Sequence, residues 1–346
     1  MNTKPLLSAT LQQAGIIDNA QAQQLTAASS PWWLQLLLGI AAWIAAVLII
    51  SSFIGPLLAL ADNPVVRMLA AAGLLMAAIW LATRPQAFLQ QMSVAIALAG
   101  QGLLVYAVYE LSGNNDAIPR YACALISSLL LLSPLHQLHQ RVSLAIALCC
   151  LLSLLTSAPA VAVLSCLLTA LAVVLWCSRV HWAGFAFASR IKSVLEVTTL
   201  AALGLSLFGQ CLHLFDSSSW LNDKLLLAQG LYSALGSVLL VSTVFWLSRR
   251  ATVPSRLVLL SVIVLLCIAL YPASGLLLST ALMLACFYGC SYRWYALCLL
   301  CMLFAVGQFY YSLQLNLLHK SGLLALSGLL VLAAWLLLQR YQRRLG

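Results

Sequence analysis

The sequence predicts an all-α fold, a polytopic integral membrane helical bundle of about 12 transmembrane helices, and three observations carry that prediction. Apolar segments follow one another from Trp32 to Tyr341, each long enough to cross a bilayer. The chain is 64% hydrophobic and 7% charged, whereas a soluble domain carries about a quarter charged residues. Strands of alternating polarity are absent, and a segment surrounded by lipid must satisfy its own backbone hydrogen bonds, which leaves helices.

Residues 1–31 form the sizeable polar stretch. Leu6, Leu7, Leu11, Ile16, Ile17 and Leu25 give it apolar faces, Gly15 is placed to stop a first short helix, and Asp18 is placed to cap a second. A cytoplasmic helical segment on the membrane surface is therefore expected. A signal peptide fits poorly, because a single Lys4 precedes an apolar run that starts far into the chain.

Residues 32–346 read as the transmembrane domain, with helices at about 33–61, 65–83, 87–111, 119–134, 142–157, 159–178, 193–215, 224–248, 256–271, 273–291, 293–313 and 319–341. The fifth and ninth are short. Pro159 and Pro272 mark the turns after them, because proline removes a backbone donor and pushes the preceding residue out of the helical region.

Basic residues set the orientation, since they are retained on the cytoplasmic side of short loops. With both termini inside, Lys4, Arg84, Arg141, Arg179, Arg190, Lys192, Arg249, Arg250, Arg256, Arg293, Arg340, Arg343 and Arg344 are cytoplasmic, and only Arg67, Arg120, Lys224 and Lys320 are outside. Most acids (Asp62, Glu110, Asp116, Asp216 and Asp223) fall outside, so the net charge of +10 is a topology signal. No nucleic-acid partner is implied, because no basic cluster stands on a soluble surface. Trp32, Trp33, Trp182, Trp220, Trp246 and Trp294 near helix ends are expected to form the interfacial belt.

Candidate chemistry is sparse. The 11 cysteines read as small packing residues inside apolar segments, and Cys298-x-x-Cys301 lacks the second ligand pair that a metal site needs. His136 and His139 have no nearby acid and read as interfacial histidines. Glu196, four residues after Lys192, reads as a helix-end ion pair beside Arg190. Without a cluster of acids, histidines or activated nucleophiles, neither an enzyme nor a cofactor is expected.

The chain also predicts three parallel four-helix repeats, 32–141, 142–255 and 256–341. Gly100-Gln101-Gly102, Gly209-Gln210 and Gly307-Gln308 each fall in the outward half of an inside-to-outside helix, and the next helices open near Arg120, Lys224 and Lys320. A glutamine in lipid needs a partner helix or a cavity, and an adjacent glycine permits close approach. Gln101, Gln210 with His213, Gln308 with Tyr311, and Arg120, Lys224 and Lys320 are thus candidate binding residues for an outward-facing polar layer that would attract an anion. Inter-helix hydrogen bonding by the amides and snorkelling by the cations is the plainer reading and the preferred one.

One stretch resembles a known family. Phe309-Tyr310-Tyr311-Ser312-Leu313-Gln314-Leu315-Asn316-Leu317-Leu318-His319-Lys320-Ser321, continuing to Gly328, is similar to the Tyr-Tyr-x-Leu…Leu-Leu-x-Lys-Ser…Gly signature of the bacterial membrane proteins grouped as domain of unknown function 4401. Ala14-Gly15-Ile16-Ile17 and Pro31-Trp32-Trp33 look like the same group, while Asn316 stands where Thr or Ser is expected. The resemblance implies a bacterial inner-membrane protein whose partners are the lipid bilayer and other small membrane proteins, and it implies no activity. Two functions stay open: binding or transport of a small solute, ion or lipid at the outward layer, or a non-transporting accessory subunit of a membrane complex. The major-facilitator transporters share the span count, but Thr83-Arg84-Pro85-Gln86 lacks their acidic, arginine and glycine motif.

Overall fold

The computed structural model describes residues 32–60, 63–84, 86–113, 117–131, 137–155, 157–185, 187–211, 224–250, 252–271 and 273–312, with Gln12, Gly15, Asp18, Asn115 and separate positions between Ser321 and Leu336. All regular structure among the described residues is helical. The helices are α1 (Trp32–Leu60), α2 (Pro64–Ala82), α3 (Ala87–Leu111), α4 (Ala117–Leu130), α5 (Gln137–Ser153), α6 (Ala158–Cys177), α7 (Arg179–Trp182), α8 (Ala188–Gln210), α9 (Leu225–Leu247), α10 (Val253–Ala269), α11 (Ser274–Tyr288) and α12 (Tyr292–Ser312). Among the described residues, six stretches are long and apolar enough to cross a membrane: Pro64–Ala82, Phe88–Leu111, Ala158–Cys177, Ala188–Gln210, Leu225–Leu247 and Tyr292–Tyr311. With four shorter apolar helices beside them, they make a multi-pass membrane bundle.

The chain divides into two compact units, residues 1–107 and 108–346. In the first, Asn63 caps α2 by accepting the Val65 N–H at 2.9 Å, and Pro64 opens the helix where a missing N–H costs nothing. Helices α2 and α3 meet through Ala78, Ile96 and Ala97. A Cβ on Gly100 would come within 3.2 Å of the Ala71 carbonyl oxygen, so glycine lets the two backbones approach there. Large side chains such as Leu69, Met76 and Trp80 point outward, the distribution expected when lipid is the solvent. At the N-terminus, Gly15 turns at φ +66° with its N–H on the Gln12 carbonyl, as a helix stop would; most of residues 1–31 lie outside the described residues.

The second unit is built around α11 and α8. Every residue from Gly275 to Ser279 is buried, and α11 packs on α6, α8, α9 and α12. Helix α8 packs on α5, α6, α11 and α12. The largest core cluster joins Trp176, Trp182, Leu195, Leu282, Cys286 and Cys298. On α6, Ala162, Ser165, Thr169 and Ala172 face the core beside the larger Leu168, Val173 and Trp176, while Leu167, Leu171 and Val174 are exposed. The small residues on the inner face let neighbouring helices approach closely, which packing without a hydrophobic driving force between helices requires. Cross-helix hydrogen bonds fix the rotation of these helices, with Trp176 Nε1 donating to Thr199 Oγ1 at 3.0 Å and the Tyr232 hydroxyl donating to the Leu205 carbonyl at 3.2 Å.

Trp182 departs from its expected place here, and a histidine and two cysteines gain definite neighbours. Trp182 is a core residue rather than a belt residue, because the single turn of α7 folds it under the bundle, where its Nε1 donates to the Leu175 carbonyl at 3.0 Å. His139 is fully buried near the start of α5, with Nε2 3.1 Å from Ser143 Oγ. Cys286 and Cys298 stand 3.8 Å apart at sulfur on neighbouring helices. All 11 cysteines are free thiols, and no group of three metal-ligating side chains occurs among the described residues.

Candidate functional site

The residues of the anticipated outward layer go to different surroundings. Gln101 is buried on α3 in the first unit. Gln210, at the end of α8, is buried, and its Oε1 accepts the Gly275 N–H at 3.2 Å. The donor is a residue without a side chain in the first turn of α11, so the amide satisfies a helix-terminal N–H that has no partner within its own helix. Gly209 beside it faces the Tyr232 ring, which a Cβ would meet at 2.8 Å. Gln308 on α12 is half-buried, Gly307 has open space around it, and Tyr311 is exposed. Arg120 donates to the Ser153 carbonyl at 3.0 Å and so ties α4 to α5. Lys224 is exposed and caps α9 in the left-handed region at φ 93°. His213 and Lys320 lie outside the described residues.

A second place is built at the other end of α8. Ala145, Cys149 and Leu152 share one face of α5 at helical spacing, and Val197, Leu200, Gly204 and Leu205 share one face of α8. Between them runs an apolar groove of about 660 Å³, with Trp294 of α12 along its side and Arg141 and Glu196 at its polar end. The small residues make the space: a Cβ on Gly204 would touch nothing within 4 Å. Arg141 Nε lies 2.7 Å from Glu196 Oε2 with both side chains half-buried. The N–H is not aimed at that oxygen, so the contact is an ion pair more than a directed hydrogen bond. Arg141 also reaches Gln137 Oε1 at 3.4 Å.

Next to the groove, and sharing Glu196 and Trp294 with it, is a smaller basic cavity of about 450 Å³ bordered by Arg179, Lys192 and Arg293. The Arg179 guanidinium donates to the Gly289 carbonyl at 2.7 Å and lies 5.8 Å from the centre of the Trp176 ring. Trp176 and Trp294 stand 6.4 Å apart at a tilt of 57°.

By sequence alone, Arg141 is a topology cation and Glu196 pairs with Lys192. A signal was present: an acid C-terminal to lysine by four residues is the less favourable order on a helix, so Glu196 was open to a partner elsewhere. That partner sits 55 positions upstream on α5. Chemically, a half-buried ion pair at the end of an apolar groove can hold the polar end of an amphiphile.

Compared with known proteins, residues 31–341 match the family described as Domain of unknown function (DUF4401). Comparisons with curated proteins and with solved structures give no match.

Proposed function

The chain belongs to the DUF4401 family, and on that premise we propose that it is a multi-pass protein of the bacterial inner membrane that binds a membrane amphiphile and performs no covalent chemistry. The apolar chain of the ligand lies between α5 and α8, and its polar end meets Arg141 and Glu196. The observation that carries this reading is the groove itself, about 660 Å³ of apolar space closed at one end by charge. Along α8 it extends from Glu196 to Leu205, about 14 Å at 1.5 Å per residue. That is about half of a hydrocarbon core some 30 Å thick, the depth of one leaflet.

In the same proposal the chain crosses the membrane twelve times as three parallel four-helix units, with both termini and residues 1–31 on the cytoplasmic side. The order of described helices and the bias of basic residues support this arrangement. The outward layer is chiefly a packing and anchoring layer, supported by the bonds of Gln210 and Arg120; Gln308 and Tyr311 are the part of it left to meet a ligand. A second reading, the accessory subunit that moves nothing and docks other small membrane proteins, draws its support from Gln210, whose amide is taken up by packing.

Purified full-length chain in mild detergent, assayed for retained lipid by mass spectrometry, separates the two. Gly204→Phe places a ring in the groove without a backbone clash, so it is expected to fold normally and lose most retained lipid. Equal lipid retention, with equal access of a maleimide to Cys149, would favour the accessory subunit.

A further inference from the structure

We infer that the basic cavity at the mouth of the groove is the headgroup site of an anionic phospholipid, so that net negative charge at a phosphodiester selects the ligand. This rests on the amphiphile reading above and adds the class of headgroup. The cavity and the groove share Glu196 and Trp294, so one molecule can have its phosphate in the first and its chain in the second.

Charge is the first argument. Arg179, Lys192 and Arg293 border the cavity, and its one carboxylate, Glu196, is already paired with Arg141. Among the described residues neither Lys192 nor Arg293 makes an ion pair. Ser189 on α8 and Ser291 just before α12 add hydroxyl donors, and the volume of about 450 Å³ falls in the range of small-molecule sites. A zwitterionic headgroup would bring its ammonium against three cations; an anionic one brings only the charge they attract.

Preorganisation is the second. Arg179 is fixed by the Gly289 carbonyl on one side and the Trp176 ring on the other. Gly289 is required for that approach, because a Cβ there would meet the Trp176 ring at 2.7 Å. The cation is therefore already in place before a ligand arrives.

The third argument decides where selectivity lies. A lipid chain entering the groove exchanges one hydrocarbon environment for another, so transfer free energy hardly distinguishes bound from free lipid. The headgroup must supply the discrimination, at about fivefold for each Lys or Arg near the membrane surface. Free phosphate would gain nothing from the groove, which commits the site to a lipid.

The test uses the full-length chain in detergent, with phosphatidylglycerol, phosphatidylcholine and inorganic phosphate as probes and native mass spectrometry as the readout. Phosphatidylglycerol should be retained in preference to phosphatidylcholine. Lys192→Gln combined with Arg293→Gln should lower that preference by about fivefold per cation removed, whereas Lys192→Arg with Arg293→Lys should keep it. Arg190→Gln, an exposed cation on the same helix outside the cavity, is the control for general surface charge. Three results would overturn the assignment: an unchanged preference in the double Gln variant, an equal loss in Arg190→Gln, or displacement of phosphatidylglycerol by inorganic phosphate. The groove reading fails separately, if Gly204→Phe still retains phosphatidylglycerol. Loss of lipid in Gly204→Phe with an unchanged preference in the double variant would sink the headgroup assignment alone.

Discussion

Near Gln210, α8 is locked against α11, whereas near Glu196 the same helix borders open space, and the contrast comes from what stands opposite. Gln210 faces Gly275, whose lack of a side chain brings a backbone N–H within reach of the amide. Glu196 faces Arg141, a long side chain on α5, and the pair stays half-buried beside a groove. Polarity alone therefore does not mark a binding site in lipid. The size of the residue across the interface decides whether a polar group becomes packing or stays available.

The largest expected effect comes from breaking the closed end. In Gly275→Ala the new methyl would collide with the Ser206 carbonyl oxygen and with Gln210 Cβ. Two backbones would have to separate, a change expected to destabilise the bundle by about 2–3 kcal/mol. Thermal unfolding in detergent measures it. An unchanged midpoint would mean that this end is not tightly packed and that the contrast along α8 is false.

At the open end, Glu196→Leu leaves Arg141 charged and half-buried without its partner. Removing one member of a buried pair costs about 3–5 kcal/mol. The 33% exposure of the Arg141 side chain lets water screen part of that, so a loss of about 1–2 kcal/mol is expected. Adding Arg141→Met should recover most of it, because the pair is then replaced by apolar surface. A double-mutant cycle in the same unfolding assay reads the coupling, and strictly additive losses would show that the two charges act independently.

These partners explain what the sequence could and could not disclose. Helix positions were legible to within about five residues, closely for 87–111 against Ala87–Leu111 and less so for 193–215 against Ala188–Gln210, because apolar length is written directly in the chain. Close approach at Gly100 and Gly209 was also legible, since glycine beside a membrane amide has few other uses. Rotation of each helix about its axis was not. When nearly every face is apolar, periodicity no longer says which side faces inward, so the Arg141 partner of Glu196, the burial of Trp182 and the Cys286–Cys298 contact depend on neighbours far away in sequence. The groove was illegible for the same reason, being made of small residues on two helices that only packing brings side by side.

A milder cut at the closed end isolates the hydrogen bond from the backbone approach. Gln210→Leu keeps the volume but removes the acceptor for the Gly275 N–H. Hydrogen bonds between membrane helices average about 0.6 kcal/mol, and a loss of that size or slightly more is expected. A loss as large as that of Gly275→Ala would assign the lock to the amide rather than to the glycine.

The smallest expected effect, at Gly307, sharpens the comparison across the Gly-Gln positions when set beside Gly209. If they were equivalent, alanine at each glycine would cost the same. Around Gly209, the Tyr232 ring stands 2.8 Å from where a Cβ would be, and that ring is fully buried with its hydroxyl tied to the Leu205 carbonyl. Gly209→Ala must move a rigid, anchored group and is expected to cost about 1–2 kcal/mol. Gly307 has nothing within 4 Å, so Gly307→Ala adds a methyl to open space and removes the entropic cost of a helical glycine. It should be neutral or stabilise by up to about 0.5 kcal/mol. Opposite signs for the two variants in one unfolding assay would show that Gly307-Gln308 lies on an open face, where Gln308 and Tyr311 can meet a ligand, while Gly209-Gln210 is packing. Equal losses would place a close neighbour against Gly307 and return the three pairs to a common structural role.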